Sequence, residues 1–204
     1  MNEEIRFEMI SKDVSHSIIE QIAKIHRSEI ENGFLSTLGE NVLTKIYKGI
    51  IKSPHSLMFA AFKGDTVVGF ICGSTDTSKV YRSIVLKSIL SLVPVIIPKM
   101  FSKKNIFRLA ETLMYPSKKE NCDLPKNEIL NFCVDRAYQA QGLGRRLFDL
   151  LMIEYKKYGL SQVKIVTGKS QTKAQLFYHS IGAKRVKEIE LHKDIESVMY
   201  IFKL

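Results

Sequence analysis

The segment that most constrains this chain is a strand-like run from Ile129 to Val134, then Gln139-Ala140-Gln141-Gly142-Leu143-Gly144, then a strongly amphipathic helix. Leu143, Leu147, Leu150, Leu151, Tyr155 and Tyr158 share one face of that helix; Arg145, Arg146, Asp149 and Lys156 share the other, and Gly159 stops it. The first turn of a helix has no preceding turn to bond to, so a strand that runs through glycines into a helix leaves several backbone N–H groups converging without partners. Such a point holds an anion, and glycines let a bulky one, such as a pyrophosphate, come close to the backbone. The spacing is not that of a P-loop, since no Gly-Lys-Ser/Thr follows, nor the dinucleotide GxGxxG. The hexapeptide alone leaves open an ordinary strand-to-helix turn that uses glycine twice.

Around this segment short strands alternate with helices. Residues 4–10 alternate weakly through Ile5, Phe7 and Met9 as a first strand, and Ser/Asp-rich capping signals at 11–17 precede a helix bearing Ile18, Ile22 and Ile25. After Asn32-Gly33 a second helix carries Val42, Leu43, Ile46, Tyr47, Ile50 and Ile51 and ends at Ser53-Pro54. Leu57 to Phe62 and Thr66 to Cys72 flank a tight Lys63-Gly64-Asp65 turn as a hairpin. Beyond the glycine-rich helix come a strand at Val163 to Thr167, a short helix at Thr172 to Ser180, and a final strand pair, Lys184 to Leu191 with Val198 to Phe202.

The 204 residues amount to about 1.4 typical domains, which predicts one domain carrying an insertion and argues against two catalytic domains. The insertion is predicted at about 75–127. Val80, Ile84, Val85, Ile89 and Leu92 are spaced helically there, as is Ile106 to Met114, and ten Lys/Arg against four Asp/Glu put +6 of the chain's net +10 in this segment. With 45% hydrophobic and 25% charged residues the chain is a packed globular one. Its basicity favours acidic partners: nucleic acid, anionic lipid or a phosphorylated small molecule.

Cys72, Cys122 and Cys133 are odd in number and show no CxxC spacing, which disfavours a disulfide scaffold and a zinc ribbon and predicts a reducing, cytoplasmic location. The acidic start MNEEIRFEMI lacks the basic region of a signal peptide. The most apolar stretch, Ile84 to Phe101, keeps only eleven uncharged residues between Lys87 and Lys99, short of the ~20 that span a bilayer. His16, His26, His55 and His192 form no metal-ligand spacing and no HExxH occurs, so no metal is expected.

Val134 to Gly144 resembles motif A of the GNAT superfamily of acyl-CoA-dependent N-acyltransferases, Gln/Arg-x-x-Gly-x-Gly/Ala after a strand, with Gln139, Gly142 and Gly144 filling it. Gln171 to Ala183 is similar to motif B of the same family, matching at Ala174, Phe177, Tyr178 and Gly182; Gln171 stands in place of Asn and Ala183 in place of an aromatic residue. The resemblance is loose from the first strand to Cys72 and good over 128–204. It implies an α/β (α+β) fold, a GNAT-like mixed, mostly antiparallel twisted sheet flanked by helices, with two strands splayed at the cofactor site, over a single domain spanning 1–204.

The resemblance also implies acetyl-CoA as acyl donor and assigns roles. Glu128, fourteen residues before Gly142, would be the general base that deprotonates the amine, and Tyr178 the acid that protonates the departing thiolate. Phe132, Cys133 and Val134 would border the pantetheine arm. Gln139, Ala140, Gln141, Gly142, Leu143, Gly144 and Arg145 would cradle the pyrophosphate, with Gln171, Lys173 and Ala174 on the following helix completing the cofactor site. The alternatives are a solvated strand-start residue for Glu128, a core tyrosine for Tyr178 and a buried small apolar residue for Cys133. Asp135 is read as a turn cap, and His179, ~100° around the helix from Tyr178, as a surface residue.

The expected function is N-acetylation of a primary amine on a small molecule, such as a nucleotide-linked amino sugar, by direct attack in a ternary complex. A non-catalytic or regulatory acyl-CoA-binding module and a protein or peptide amine acetyltransferase are the alternatives. The basic insertion suits an anionic acceptor and equally suits a membrane-surface face or a homodimer contact. No interleaving of basic and aromatic residues on a strand face supports nucleic acid.

Overall fold

The computed structural model describes residues 3–30, 34–84, 124–192 and 195–204. Seven strands, β1 (Ile5–Met9), β2 (Ser56–Lys63), β3 (Thr66–Ser74), β4 (Glu128–Val134), β5 (Gln162–Gly168), β6 (Lys184–His192) and β7 (Ile195–Lys203), form one sheet in the order β1-β2-β3-β4-β5-β7-β6. Every neighbouring pair is antiparallel except β4 and β5, which run parallel because a helix carries the chain back between them. The helices are α1 (His16–Glu29), α2 (Phe34–Thr37), α3 (Glu40–Ile51), α4 over residues 77–84, α5 (Leu143–Lys157) and α6 (Thr172–Ser180). Among the described residues no helix is long and apolar enough to cross a membrane.

The two faces of the sheet are covered by different helices. On one, α1 and α3 bury the apolar stripes read from the sequence against Phe70, Cys72 and Cys133. Ser15 caps α1, its hydroxyl accepting from the Ile18 N–H at 3.4 Å. Ile22 and Ile25 are buried on α1 as expected, whereas Ile18 is only half-buried and its neighbour Ile19 takes its place in the core. On the other face α5 packs Leu143, Leu147, Phe148, Leu151, Met152 and Tyr155 against Ile71, Ile129 and Ile165. Tyr158, expected on that apolar face, is instead 56% exposed. The helix has ended at Lys157, and Gly159, with φ +70°, turns the chain away.

The start of the predicted insertion joins the first face. Residues 77–84 are helical, and Val80 and Ile84 are buried against the α1–α3 cluster. The helical spacing predicted through Val85, Ile89, Leu92 and Ile106 to Met114, like Cys122, falls outside the described residues.

Two buried hydroxyls tie helices to their surroundings. The Tyr155 hydroxyl donates to the carbonyls of Ser74 (3.1 Å) and Glu128 (3.0 Å), joining α5 to β3 and β4 at once. Gly73 makes room for it, since a Cβ there would lie 2.1 Å from the phenol oxygen. Between α1 and α3, His26 Nδ1 lies 2.6 Å from the Tyr47 hydroxyl, and burial lowers the His26 pKa to about 4. An unfolded histidine titrates near ~6.5. Below that pH the unfolded chain therefore takes up a proton that the folded chain refuses until pH 4 is approached. Stability from this group should be fully present above pH 6.5 and be lost as pH falls toward 4, by up to roughly 3 kcal/mol. Urea unfolding measured at intervals from pH 7 to pH 4 should show this slope, and His26→Phe should flatten it whatever its absolute stability.

Candidate active site

A gap opens in the middle of the sheet. β4 and β5 pair only at Glu128 with Lys164 and at Ile129 with Ile165, whereas β5 pairs with β7 from Gln162 to Gly168 and β4 stays on β3 as far as Val134. The cause lies in β4. Gly73 faces Ile129 and Cys72 faces Asn131, so Leu130 is an extra residue, a β-bulge that bends the strand at the point where its pairing with β5 ends. Asn127 closes the base of the gap, its side-chain amide donating to the Gln162 carbonyl at 2.7 Å while its carbonyl accepts from the Lys164 N–H at 3.2 Å.

The loop leaving β4 forms the rim. Asp135 Oδ1 accepts from the Ala137 N–H at 2.9 Å and caps a turn of 3-10 helix at Arg136–Tyr138. Ala140 then adopts φ +60°, the only non-glycine left-handed residue among the described residues, and Gly142 follows at φ +82° as the N-cap of α5. The backbone N–H groups of residues 140–145 donate to no acceptor among the described residues. No side chain caps the helix, and a Cβ on Gly142 would meet nothing within 4 Å. The rim is thus a run of free donors at a helix N-terminus, an anion site in open space. Gly144 packs close to β4, where a Cβ would lie 3.4 Å from Phe132.

Glu128 and Lys164 sit at the closed end, where their strands first meet. Lys164 Nζ lies 3.0 Å from Glu128 Oε2, and both side chains are about nine-tenths buried. Burial pushes the Glu128 carboxyl above the usual carboxylate range, opposed chiefly by the charge of Lys164. Tyr178, on α6, is buried against Phe177 and Tyr200, and its hydroxyl bonds to no other described residue. Burial, and secondarily the Cys133 thiol, raise its pKa, so the phenol keeps its proton at neutral pH. Cys133 faces the α1–α3 side of the sheet, its thiol also pushed up by burial. Phe132 faces the other side, its ring 5.4 Å from that of Phe177.

Other residues singled out in the sequence have local partners. Gln139 donates its amide to Glu29 Oε2 and to the Val134 carbonyl, both at 2.9 Å, and accepts from Lys173 Nζ at 3.4 Å. Gln141 bonds back to the Ala137 carbonyl, and Arg145 pairs with Asp149 across one turn of α5. Gln171 Oε1 accepts from the Thr167 hydroxyl at 2.6 Å, and Ala174 packs into the α5-side core. Leu143 is buried beneath the rim, and His179 is exposed. Sequence reasoning missed Glu29, Ser74 and Lys164. Each touches the site from a segment distant in sequence, so no local spacing could have announced it.

Residues 122–204 match the family model described as Acetyltransferase (GNAT) domain. No curated protein matches the chain in sequence. Solved structures share its fold at low identity. An acetyltransferase from Thermus thermophilus is 12% identical over 100% of both chains, with a TM-score of 0.59. The ribosomal-protein-S18-alanine N-acetyltransferase from Escherichia coli is 13% identical over 97% of this chain and 94% of that one, with a TM-score of 0.58. The NatC complex bound to Gag peptide and CoA is 10% identical over 98% and 99%, with a TM-score of 0.62. Residues 122–204 are thus similar to a GNAT acetyltransferase domain, and the sheet that carries them shares the fold of these acetyltransferase structures.

If the rim holds a diphosphate, a carboxylate placed among its N–H groups should exclude it. Gly142→Glu is expected to remove measurable coenzyme A binding by calorimetry while the far-UV circular dichroism stays that of the folded chain. Undiminished affinity in the folded variant would show that the diphosphate lies elsewhere.

Proposed function

We propose that the protein transfers the acetyl group of acetyl-CoA to a primary amine of a small molecule, by direct attack within a ternary complex. The observation that carries this reading is the gap between β4 and β5, which has an anion-binding rim at its mouth, a buried carboxylate at its closed end and a buried phenol beside it. From Leu130 onward the edge of β4 that β5 has left offers ladder groups to an extended chain. The pantetheine arm is such a chain, with amides at intervals that suit strand-like pairing. With the arm there and the diphosphate on residues 140–145, the thioester lies near Phe132 to Val134, where a backbone N–H can polarise its carbonyl.

The remaining steps are proton transfers. An alkylammonium has a pKa near ~10.4 and cannot attack until it loses a proton. Glu128, held above the usual carboxylate range by burial yet kept ionisable by Lys164, takes that proton directly or through a water. The amine nitrogen bonds to the thioester carbon, the carbon–sulfur bond breaks, and Tyr178 gives its proton to the departing thiolate. Arg146, exposed and without an ion pair among the described residues, and Lys173 add positive charge near the rim. Arg145 and Lys169 are committed to Asp149 and to Glu188 and Glu196.

An anionic acceptor, such as a nucleotide-linked amino sugar, suits the chain's net charge of +10. A peptide amine is the second reading, prompted by the solved structures that act on a ribosomal-protein alanine or hold a peptide. Thiol release from acetyl-CoA, measured across amino sugars, their nucleotide conjugates, polyamines and peptides, separates the two. Turnover on peptides alone would overturn the small-molecule acceptor, and coenzyme A binding with no turnover on any amine would overturn the enzyme reading. Tyr178→Phe keeps the ring and loses the donated proton, so kcat should fall by about 10²-fold while coenzyme A affinity holds. An unchanged kcat, with chemistry rate-limiting, would make Tyr178 a core residue only.

A further inference from the structure

Glu29 reaches the rim from the far end of α1. Its Oε1 accepts from the Arg136 N–H at 3.2 Å and its Oε2 from the Gln139 side-chain amide at 2.9 Å, so one half-buried carboxylate grips the loop at two points. The same amide also donates to the Val134 carbonyl at 2.9 Å, and the Gln139 side-chain oxygen accepts from Lys173 Nζ at 3.4 Å. A carboxylate and a main-chain carbonyl can only accept, so the orientation of the amide is fixed. The Gln139 main-chain N–H is committed as well, to the Arg136 carbonyl at 3.4 Å. Gln139, expected from its motif to cradle the pyrophosphate, therefore has no donor to spare for it.

The residue that needs such a grip is the next one. Ala140, at φ +60°, holds a backbone conformation that a side chain disfavours and that persists only where the surroundings impose it. Glu29 is placed to impose it, because the end of α1 is itself anchored. The Ile30 N–H donates to the His26 carbonyl at 3.0 Å, and the Ile30 carbonyl accepts from the Ser36 hydroxyl at 2.6 Å. By charge alone the position is a poor one for a carboxylate, which opposes the dipole at a helix C-terminus and repels any anion at the rim. What the carboxylate supplies is two acceptors in a fixed place, so its geometry and its charge act on the rim in opposite directions.

We propose that Glu29 is a positioning residue for the diphosphate rim, holding Gln139 and the Arg136 N–H so that the chain enters Ala140 with the N–H groups of residues 140–145 open to the cofactor. The inference rests on the reading that the diphosphate binds those residues. It makes the Gln139 side chain a strut and not a ligand.

The test is calorimetric coenzyme A affinity, with steady-state kinetics, in Glu29→Ala, Gln139→Ala and the double variant. The sign of the change separates the two effects of the carboxylate. If Glu29 positions the rim, Glu29→Ala weakens coenzyme A binding about tenfold, the scale of two lost hydrogen bonds, although a repelling charge has gone. Unchanged or tighter binding would overturn the proposal, because only the charge would then be felt. KM for acetyl-CoA should rise with the dissociation constant while KM for the amine and kcat at saturation hold, a split that a general loosening of the fold would not produce. A fall in kcat with coenzyme A affinity intact would place Glu29 in the acceptor site and overturn its role at the rim. Two residues of one strut are lost together, so the double variant should bind coenzyme A no more weakly than the weaker single variant; fully additive losses would mean independent action and overturn the strut. Should Glu29→Ala fail to fold, Glu29→Gln keeps the shape and one acceptor oxygen and is read in its place at 0.5 M salt, on the order of a tenfold excess over the ionic strength at which the Debye length is 10 Å or more, so that the lost acceptor and not the lost charge is felt; the same sign is expected. Gly142→Glu tests the underlying reading. If it leaves coenzyme A affinity undiminished, the diphosphate lies elsewhere and this inference falls with that reading; if it abolishes binding while Glu29→Ala has no effect, the role of Glu29 alone is overturned.

Discussion

Two residue pairs, Glu128 with Lys164 and Ile129 with Ile165, are the only ladder among the described residues between the β1–β4 half of the sheet and the β5–β7 half. Without the extra residue at Leu130, β4 would continue alongside β5 and the gap would close. The missing ladder is offset on one face by aromatic packing. Phe177 lies edge-on to Phe132 at 5.4 Å and to Phe148 at 5.9 Å, and Phe148 meets Phe202 of β7 at 5.1 Å. These contacts bridge β4, α5, α6 and β7, so the halves are held apart at a set distance and not merely unpaired. The cleft depends on this: a backbone edge is exposed within a core that remains packed.

The choice of residues at the vertex fits the same logic. Moving a carboxylate and an ammonium out of water costs several kcal/mol per ion, and a well-packed apolar pair is often the more stable substitute. Ile129 and Ile165, one step along, show that the position tolerates apolar pairing. Glu128 and Lys164 therefore carry a stability cost that strand association does not require. It is the kind of cost found where a titratable group is kept for chemistry, limited here by the pairing of the two charges with each other at 3.0 Å.

Much of this architecture was legible in the sequence. α3 is the clearest case: each of its predicted apolar residues is buried, because a 3.6-residue stripe identifies one face regardless of its partner. β4, α5, β5 and α6 emerged for similar reasons, and the glycine-rich rim because free N–H groups follow from local geometry alone. α2, of four residues, has no room for a periodic signal and was missed. Tyr158 was misplaced because periodicity extends past a helix end that Gly159 sets. At the site, sequence supplied the residues named by motifs and missed those that arrive by sheet register. Lys164 faces Glu128 only through the pairing of β4 with β5, and Ser74 only through the β3–β4 ladder. Register is a long-range property, and alternation within a single strand carries no trace of it.

Glu29 sets where the anion cradle begins. It lies at the C-terminal end of α1, where a carboxylate opposes the helix dipole, and accepts from the Arg136 N–H at 3.2 Å and from the Gln139 amide at 2.9 Å. Those two donors, at the start of the rim, are already used by the protein. Gln139 therefore acts as a staple between α1, the end of β4 and Lys173 of α6, and the free donors start only at Ala140. The strained φ of Ala140 marks that boundary, the point at which the backbone turns from bonds within the protein to donors left open. The end of α1 and the rim are consequently joined through a single carboxylate, which holds the start of the rim against the helix while leaving the donors at 140–145 open.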